Sequence, residues 1–279
     1  MAKLPISVNI STYMEEKRIG KCIDAVLQNE PKEIIVIDAG STDCTCDIAR
    51  AKGATVYVVE KKGLAYQRNF GIKKSNCKYI AMVDAHDELS SDCFSILLKE
   101  MLKHEFTAIQ AFLKVRHLSS YWQKAYFFNS QFSLNTIGET KMVGRPCIYE
   151  ASKIQKIGFD PFFSFGVGCE DVDISIQFEL HQFKMGKGTG TSQRDFPLDF
   201  KTWWAKWVKY GKGDAHIIAK YPHKKAAIRK HQLITYPITR SFNALLNGGI
   251  IYIPFFIMFG LTRFIFSLKN VPKINKNKK

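Results

Sequence analysis

Three carboxylates and an imidazole stand together where an apolar run of the sequence ends. In "YIAMVDAHDELSSD", Asp84 closes the run, and His86, Asp87 and Glu88 follow it. Like charges at this spacing repel one another, so the ionised carboxylates need a compensating charge. A bound cation supplies such a charge. The alternative interpretation is a loop in which water screens the carboxylates.

Acidic residues also close another apolar run and open a helical pattern. Asp38 ends "EIIVID", and Glu170 and Asp171 begin "EDVDISIQFEL". Ligands of open parallel sheets bind beyond the carboxyl ends of the strands, so Asp38 and Asp84 are candidate site residues. Two structural alternatives remain open. Asp38 would cap a helix predicted from Ser41, and the two acids at 170–171 would serve the helix dipole.

The first hundred residues alternate between strand and helix patterns. Short β-branched runs predict the strands, and apolar residues at helical spacing predict the helices. Strands are predicted at 6–12, 33–38, 55–60 and 79–84, and helices at 15–29, 41–53 and 65–75. Such short units imply right-handed crossovers, so we expect an α/β fold with a Rossmann-like, mostly parallel sheet. A further strand is predicted at 108–118 and a further helix at 169–183, whereas 121–140 gives no clear pattern.

Charge divides the chain into two parts. Residues 1–200 contain 25 basic and 24 acidic residues, whereas residues 201–279 contain 16 basic residues and one acid, Asp214. The sequence therefore predicts a nearly neutral domain at 1–199, followed by a basic tail that binds anionic partners such as nucleic acid or a membrane surface. The seven cysteines are odd in number and form no CxxC pair, which favours reduced thiols over a disulfide framework.

The tail at 200–279 combines aromatic, basic and apolar residues. Trp203, Trp204, Trp207 and Tyr210 recur at helical spacing among lysines, which suits the headgroup layer of a bilayer. The alternative is an aromatic face packed on the rest of the protein. An uncharged stretch at 241–262 is near the length that spans hydrocarbon, so a membrane segment is predicted at about 241–268, either crossing the bilayer or lying in its surface.

Five motifs in order carry a resemblance to a known family. They are "ISVNISTYMEEKRIGKCIDAVLQN", "EIIVIDAGSTDCT", "GLAYQRNFGI", "YIAMVDAHDEL" and "GFDPFFSFGVGCEDVDISIQF". Over roughly residues 4–190, the chain resembles a family 2 glycosyltransferase with the GT-A fold, of a bacterial, membrane-associated type. The resemblance implies a nucleotide-sugar donor, a divalent metal, and inversion at the anomeric carbon, and we expect the donor to be linked to UDP.

The resemblance assigns donor-binding roles to several residues. Thr12, Tyr13 and Glu15 fall where the first loop of the family contacts the nucleoside. Asp38 matches the acid that recognises base or ribose, and Arg68 lies in the stretch that faces the donor. The structural alternatives are that the acid at position 15 belongs to a first helical turn and that Arg68 pairs with a structural carboxylate.

The metal and the catalytic base are implied in the same way. Asp84 and His86 match the metal-binding DxD motif, with histidine in its second acidic position, and Asp84 also faces the donor. Imidazole suits transition metals, so Mn²⁺ is favoured over Mg²⁺, which prefers oxygen ligands. Asp171 matches the base of the "ED" motif, with Glu170 beside it. A second departure is Ala39, which stands where many members have an acid.

Function follows as an expectation with two rivals. The motifs and the tail together predict an inverting transferase that moves a sugar to a lipid-linked or cell-envelope glycan acceptor. We expect it on the cytoplasmic face of an anionic membrane, since "MAKLPISVNIS" has no apolar signal region. Ala39 and His86 motivate a non-catalytic nucleotide-binding scaffold as a rival. The basic tail motivates an RNA-associated protein, although no nucleic-acid module is recognisable and nucleic acid is not the expected partner.

Overall fold

The computed structural model describes residues 3–60, 63–133, 136–164 and 167–270. The chain forms two compact units. The sheet unit comprises residues 1–116, 134–165 and 170–195, and the helical unit comprises residues 117–133, 166–169 and 196–279. The helical unit therefore draws on two short segments that precede the basic tail.

Four parallel strands form one half of the sheet, in the order β3–β2–β1–β4. They are β1 Leu4–Thr12, β2 Pro31–Asp38, β3 Thr55–Val58 and β4 Tyr79–Asp84. Helices α1 Ile19–Leu27, α2 Thr45–Ala51 and α3 Leu64–Lys74 connect them. This confirms the predicted α/β alternation, with helix ends that differ from the predicted ones by one to four residues.

The other half of the sheet is mixed in direction. Its strands are β5 Glu88–Leu89, β6 Ala108–Val115, β7 Gly138–Thr140, β8 Cys147–Glu150 and β9 Met185–Arg194. β8 runs antiparallel to both β4 and β6, and β9 runs parallel to β6. The sheet is therefore mostly parallel only in its first four strands. The direction of β8 matters for function, because its beginning lies beside the end of β4.

Strand β9 has a sequence, "MGKGTGTSQR", that did not predict a strand. Its glycines allow helix α4, Cys93–Lys103, to approach closely. A Cβ at Gly188 would lie 2.6 Å from the Leu97 side chain, and one at Gly190 would lie 2.5 Å from the backbone oxygen of Cys93. Glycine is thus required here by close packing, which overrides its low strand propensity.

Two apolar clusters enclose the sheet. Ile6, Val8 and Ile10 of β1 are fully buried in one cluster, and each contributes about 2 kcal/mol of burial free energy. The second cluster involves β4, β8 and the helices α6, Ala151–Ile157, and α7, Glu170–Leu180. Alternate side chains of the strands therefore face different clusters, and the strand ends are held rigidly in place.

The helical unit is built on its own aromatic core. Its helices are α5 Tyr121–Ser133, α8 Phe200–Lys220, α9 Lys225–Lys230, a π-helix at His231–Arg240, α10 Ser241–Leu246 and α11 Ile253–Lys269. Trp203 and Trp207 are fully buried, and the ring of Trp207 lies 5.3 Å from that of Phe255. The headgroup-layer prediction is therefore wrong for these two tryptophans, which serve the core, whereas Trp204 is 38% exposed.

The predicted apolar segment at 241–268 is divided in two. A turn at Gly248, with φ +71°, separates α10 from the 3₁₀ turn and helix that follow. Within the described part of the chain, one helical stretch, Ile250–Lys269, is long and apolar enough to cross a membrane, with a mean hydropathy of 1.8. A third of that stretch is buried inside the protein.

Candidate active site

Three neighbouring strands end at one edge of the sheet. Thr12 of β1 is paired in register with Asp38 of β2, and Ser11 with Asp84 of β4. The expectation that the two acids share one edge of the sheet is therefore met. Because β1 lies between β2 and β4, the Asp38 and Asp84 sites flank the first loop of the chain.

Asp38 is fully buried and organises the loop that follows it. Its Oδ1 accepts hydrogen bonds from the backbone N–H groups of Gly40 (2.9 Å) and Ser41 (2.7 Å). Its Oδ2 accepts from the hydroxyls of Thr12 (2.9 Å) and Ser41 (2.6 Å). Helix α2 begins only at Thr45, so Asp38 caps this turn rather than the helix that was predicted from Ser41.

The first loop is tied to the second. The Met14 N–H donates to Ser41 Oγ (2.8 Å), and the Glu15 N–H donates to Thr45 Oγ1 (2.8 Å). Glu15 is partly buried, which raises its pKa, while its ion pair with Arg18 (2.7 Å) acts in the opposite direction. The Tyr13 side chain is 50% exposed. The structure thus places Tyr13 and Glu15 on a platform of two joined loops at the edge of the sheet.

Arg145 is the centre of the charge cluster beyond β4. Its Nε lies 2.9 Å from Asp84 Oδ1 and its Nη2 lies 3.0 Å from Glu170 Oε1, while Nη1 donates to Asp171. The residue is only 10% exposed. The sequence did not predict a role for Arg145. The residue reaches the site only because β8 runs antiparallel to β4, so that the start of β8 lies beside the end of β4. The signal in the sequence was an arginine two residues before the short strand pattern "CIYE".

Arg68 approaches the same carboxylates from α3. Its side chain is 2% exposed, with Nη2 at 3.5 Å from Asp84 Oδ1 and Nη1 at 3.3 Å from Glu170 Oε1. Its guanidinium also lies over the ring of Phe159, 5.2 Å from the centroid. The expected donor-facing arginine is therefore at the candidate site, and its acidic partners are the site carboxylates themselves.

Arg194, at the end of β9, is the third buried arginine and was also missed. Its Nη1 lies 3.3 Å from Asp84 Oδ2, and its Nε lies 2.7 Å from Asp87 Oδ1. Asp87 is fully buried and accepts a hydrogen bond from the Asp84 N–H at 3.0 Å. Burial and the neighbouring charge of Asp84 raise the pKa of Asp87 to about 6, although Arg194 opposes the rise. Asp87 therefore helps to position Asp84 and Arg194.

Asp84 and Asp171 have pKa values shifted in opposite directions. Burial would raise the pKa of Asp84, but the guanidinium groups of Arg145, Arg194 and Arg68 hold it below its ordinary value. Burial raises the pKa of Asp171, and Glu170 adds to the rise while Arg145 opposes it. The same cluster thus holds one carboxylate with a lowered pKa and one with a raised pKa, a pattern that marks candidate functional sites.

The four carboxylate side chains of the cluster also differ in their exposure to solvent. The Asp171 side chain is 26% exposed, compared with 18% for Asp84, 11% for Glu170 and none for Asp87. Asp171 also lies in the first turn of α7, where the helix dipole favours an anion. Of the four, Asp171 is the most exposed carboxylate.

The fit of a divalent metal to this site is partial. His86 is half-buried and lines a cavity of about 240 Å³ together with Asp87 and Arg116. Both oxygens of Asp84 contact arginines, and the described residues include no group of three side chains that could hold a metal ion. Asp84 and His86 by themselves therefore do not complete a metal site, and an ion held by them would need further ligands from outside the described residues.

Comparison with known proteins identifies the family. The model of the family described as Glycosyl transferase family 2 matches residues 7–153, just over half of the chain. An uncharacterised glycosyltransferase of Rickettsia bellii is 30% identical over 189 residues, covering 62% of this chain and 64% of that one. Glycosyltransferase GlyA of Streptococcus pneumoniae is 27% identical over 107 residues, covering 36% of this chain and 15% of that one. The chain spans less than two thirds of the length of these relatives.

Solved structures show the same fold. S. aureus TarS superposes with a TM-score of 0.59 at 17% identity, covering 95% of this chain and 54% of that one. TarS 1–349 in complex with UDP-GlcNAc gives a TM-score of 0.58 at 16% identity, with 95% and 89% covered. These likenesses confirm the GT-A fold that the motifs predicted. The chain therefore belongs to glycosyl transferase family 2.

Proposed function

We propose that this protein transfers a sugar, with inversion, from a UDP-linked donor to a lipid-linked or cell-envelope glycan acceptor. The observation that carries the proposal is the convergence of Asp84, Arg145 and Asp171 at the strand edge of the sheet. Asp171, a carboxylate with a raised pKa, thereby lies next to the largely buried guanidinium of Arg145. The UDP-GlcNAc complex of a similar structure supports a nucleotide-sugar donor.

The proposed reaction is a single displacement, in which an acceptor hydroxyl replaces the nucleoside diphosphate at the anomeric carbon. Asp171 takes the proton of the acceptor hydroxyl as its oxygen forms a bond to the anomeric carbon. The bond from that carbon to the diphosphate breaks on the opposite face, and the electron pair leaves with the nucleoside diphosphate. Arg68 and Arg145, which both contact Asp84, would add positive charge that offsets the growing negative charge. Attack from the face opposite the leaving group inverts the anomeric configuration.

Asp84 and His86 would hold a divalent ion, with Mn²⁺ favoured over Mg²⁺ because one of the two ligands is an imidazole. When bound, the ion supplies additional charge neutralisation at the donor diphosphate. Because the protein offers two ligands, we expect tight metal binding only in the presence of UDP. Isothermal titration with Mn²⁺, with and without UDP, measures this dependence. Equal affinity in both titrations would contradict it.

Activity is tested by product chemistry. The purified protein is incubated with Mn²⁺, a panel of UDP-sugars and candidate acceptors, and the anomeric configuration of the product is read by NMR. Inversion relative to the donor supports the proposal, and retention contradicts it. Nucleotide binding without turnover of any donor would instead favour a non-catalytic scaffold.

The proposed site of action is the cytoplasmic face of a membrane. The apolar stretch Ile250–Lys269 and the basic residues after position 200 support this placement. A lipid-linked acceptor would be presented at the same surface. Fractionation of cells that produce the full chain tests the placement, and recovery entirely in the soluble fraction at low salt would contradict it.

A further inference from the structure

The helical unit exposes two stripes of large apolar side chains. On the π-helix and α10, Ile234, Ile238, Phe242 and Leu245 follow one another at three- or four-residue spacing and are 46–61% exposed. Residues at this spacing share one face of a helix. The stripe is therefore a continuous apolar surface that no other part of the described chain covers.

The second stripe lies on α11. Ile257, Leu261, Ile265 and Leu268 are 38–52% exposed, again at three- or four-residue spacing. Ile250 and Ile251, at the turn that joins α10 to α11, are 57% and 62% exposed. The two stripes and the turn together form what we call the apolar hairpin surface. Soluble monomers rarely expose so extended an apolar patch.

The opposite face of α11 is fixed to the helical unit. Phe255, Phe256 and Phe259 are 1–7% exposed, and the ring of Phe259 lies 5.6 Å from that of Trp207 on α8. To cross a bilayer alone, α11 would have to abandon this aromatic core. Its departure would expose the buried rings of Trp203 and Trp207 on α8 to water, which is unfavourable.

A buried ion pair also opposes a membrane crossing by α11. Arg263 contacts Asp214 of α8 through Nη2 (2.6 Å) and Nε (2.9 Å), and the two side chains are 12% and 3% exposed. Gln232 Nε2 also donates to Asp214 Oδ2, at 2.7 Å. A crossing α11 would carry Arg263 into hydrocarbon without its partner, which is costly.

The charged residues that follow Asp214 in the sequence are all basic. Lys225 and Lys230 are exposed on α9, and Arg240 ends the π-helix. Cations beside an apolar helix face favour the interface of a bilayer that contains anionic lipids. A second protein copy would present the same positive charge and would be repelled.

We propose that the apolar hairpin surface lies in the plane of an anionic bilayer, inserted on one side only, and that α11 does not cross the membrane. This inference rests on the proposed function in one respect only, namely that the protein has a membrane partner. The α8–α11 contacts remain intact on binding. The side chains of the two stripes enter the acyl region while the lysines stay at the phosphates.

Vesicle sedimentation with the full chain tests the binding. We expect binding to vesicles of phosphatidylcholine with phosphatidylglycerol to be at least about tenfold tighter than to phosphatidylcholine alone, since each basic residue adds to the attraction. The double variant Leu261→Glu with Ile265→Glu should lose at least about tenfold in affinity, since it places charge in the apolar stripe. Leu102→Glu, at a residue 59% exposed in the sheet unit, is the matched control and should bind as the wild type does.

A second measurement does not depend on any variant. Protein carrying a C-terminal tag is bound to preformed sealed vesicles and exposed to external protease. Complete digestion of the tag is expected for insertion from one side, and a protected tag would overturn the proposal. So would dimerisation through this surface without vesicle binding. Donor hydrolysis in detergent is measured separately, so a protein that binds vesicles but turns over no donor would refute the proposed function and leave this inference standing.

Discussion

At the scale of single residues, the site is dominated by three buried arginines facing four carboxylates. Arg145 contacts Asp84, Glu170 and Asp171 at once, and its charge lowers the pKa of Asp84 and opposes the rise in the pKa of Asp171. A buried charge that loses its partner is strongly destabilising. The arginines therefore contribute to the stability of the site as well as to its chemistry.

Arg145→Met should lower both stability and activity. The substitution leaves three carboxylates with less compensation, so we expect the free energy of unfolding to fall by about 3 kcal/mol and donor turnover by at least about 100-fold. Urea unfolding and release of UDP measure the two effects. Arg50→Met is the control, because Arg50 is 53% exposed and its ion pair with Asp47 lies outside the site. Wild-type turnover in Arg145→Met would contradict the assigned role.

The pH dependence of activity should report Asp171. A base must be ionised to accept a proton, and burial together with Glu170 raises the pKa of Asp171. Activity should therefore fall as the pH falls through that raised pKa. Glu170→Gln removes one of the causes of the rise, so the acidic limb of kcat/KM should move to lower pH. A limb that stays in place, or moves to higher pH, would be inconsistent with Asp171 as the base.

At the scale of elements, the sequence predicted the parallel half of the sheet and, beyond it, β6 and α7, but not how the strands of the other half pair. Local patterns identified β1, β2, β4 and their helices, and with them Asp38 and Asp84 at one edge. The direction of β8 and the glycine-rich β9 depend on contacts between distant segments, which local patterns do not contain. Arg145 and Arg194 were missed for that reason. The buried Trp203 and Trp207 were mistaken for interfacial residues because their partners lie about fifty residues away in α11.

Two glycine substitutions should have opposite effects on stability. Gly190→Ala places a Cβ 2.5 Å from the Cys93 backbone oxygen, so overpacking between β9 and α4 should cost about 2 kcal/mol. Gly20→Ala lies inside α1, where the nearest atom is the flexible end of Lys52 at 3.2 Å, and should gain up to about 1 kcal/mol from helix propensity. Thermal unfolding of both variants measures the difference. Equal shifts would refute the close approach of α4 to β9.

At the scale of the whole molecule, charge and function are divided between the two parts of the sequence. Residues 1–200 are nearly neutral and hold the candidate site, whereas residues 201–279 carry almost all of the excess positive charge. Because of this division, residues 201–279 can bind an anionic surface without changing the charge balance around the candidate site. The sequence alone predicted this division, because it depends only on composition.

Salt should therefore act on membrane binding more than on catalysis. Raising the ionic strength from about 0.1 M to about 1 M shortens the Debye length from about 10 Å to about 3 Å and screens the exposed lysines. We expect vesicle binding to weaken severalfold, whereas donor hydrolysis at the buried cluster should change little. Sedimentation and UDP release measured in the same buffers give the comparison. If salt reduced vesicle binding and UDP release by the same factor, the separation of the basic tail from the neutral domain would have no functional effect.

The central claim is that Asp171 acts as the base in sugar transfer beside a buried arginine cluster. The most direct measurement compares wild type and Asp171→Asn for UDP affinity and for acceptor-dependent UDP release, under identical conditions. We predict unchanged UDP affinity and a loss of turnover of at least about 100-fold in the variant. Turnover of the variant at the wild-type rate would contradict the account.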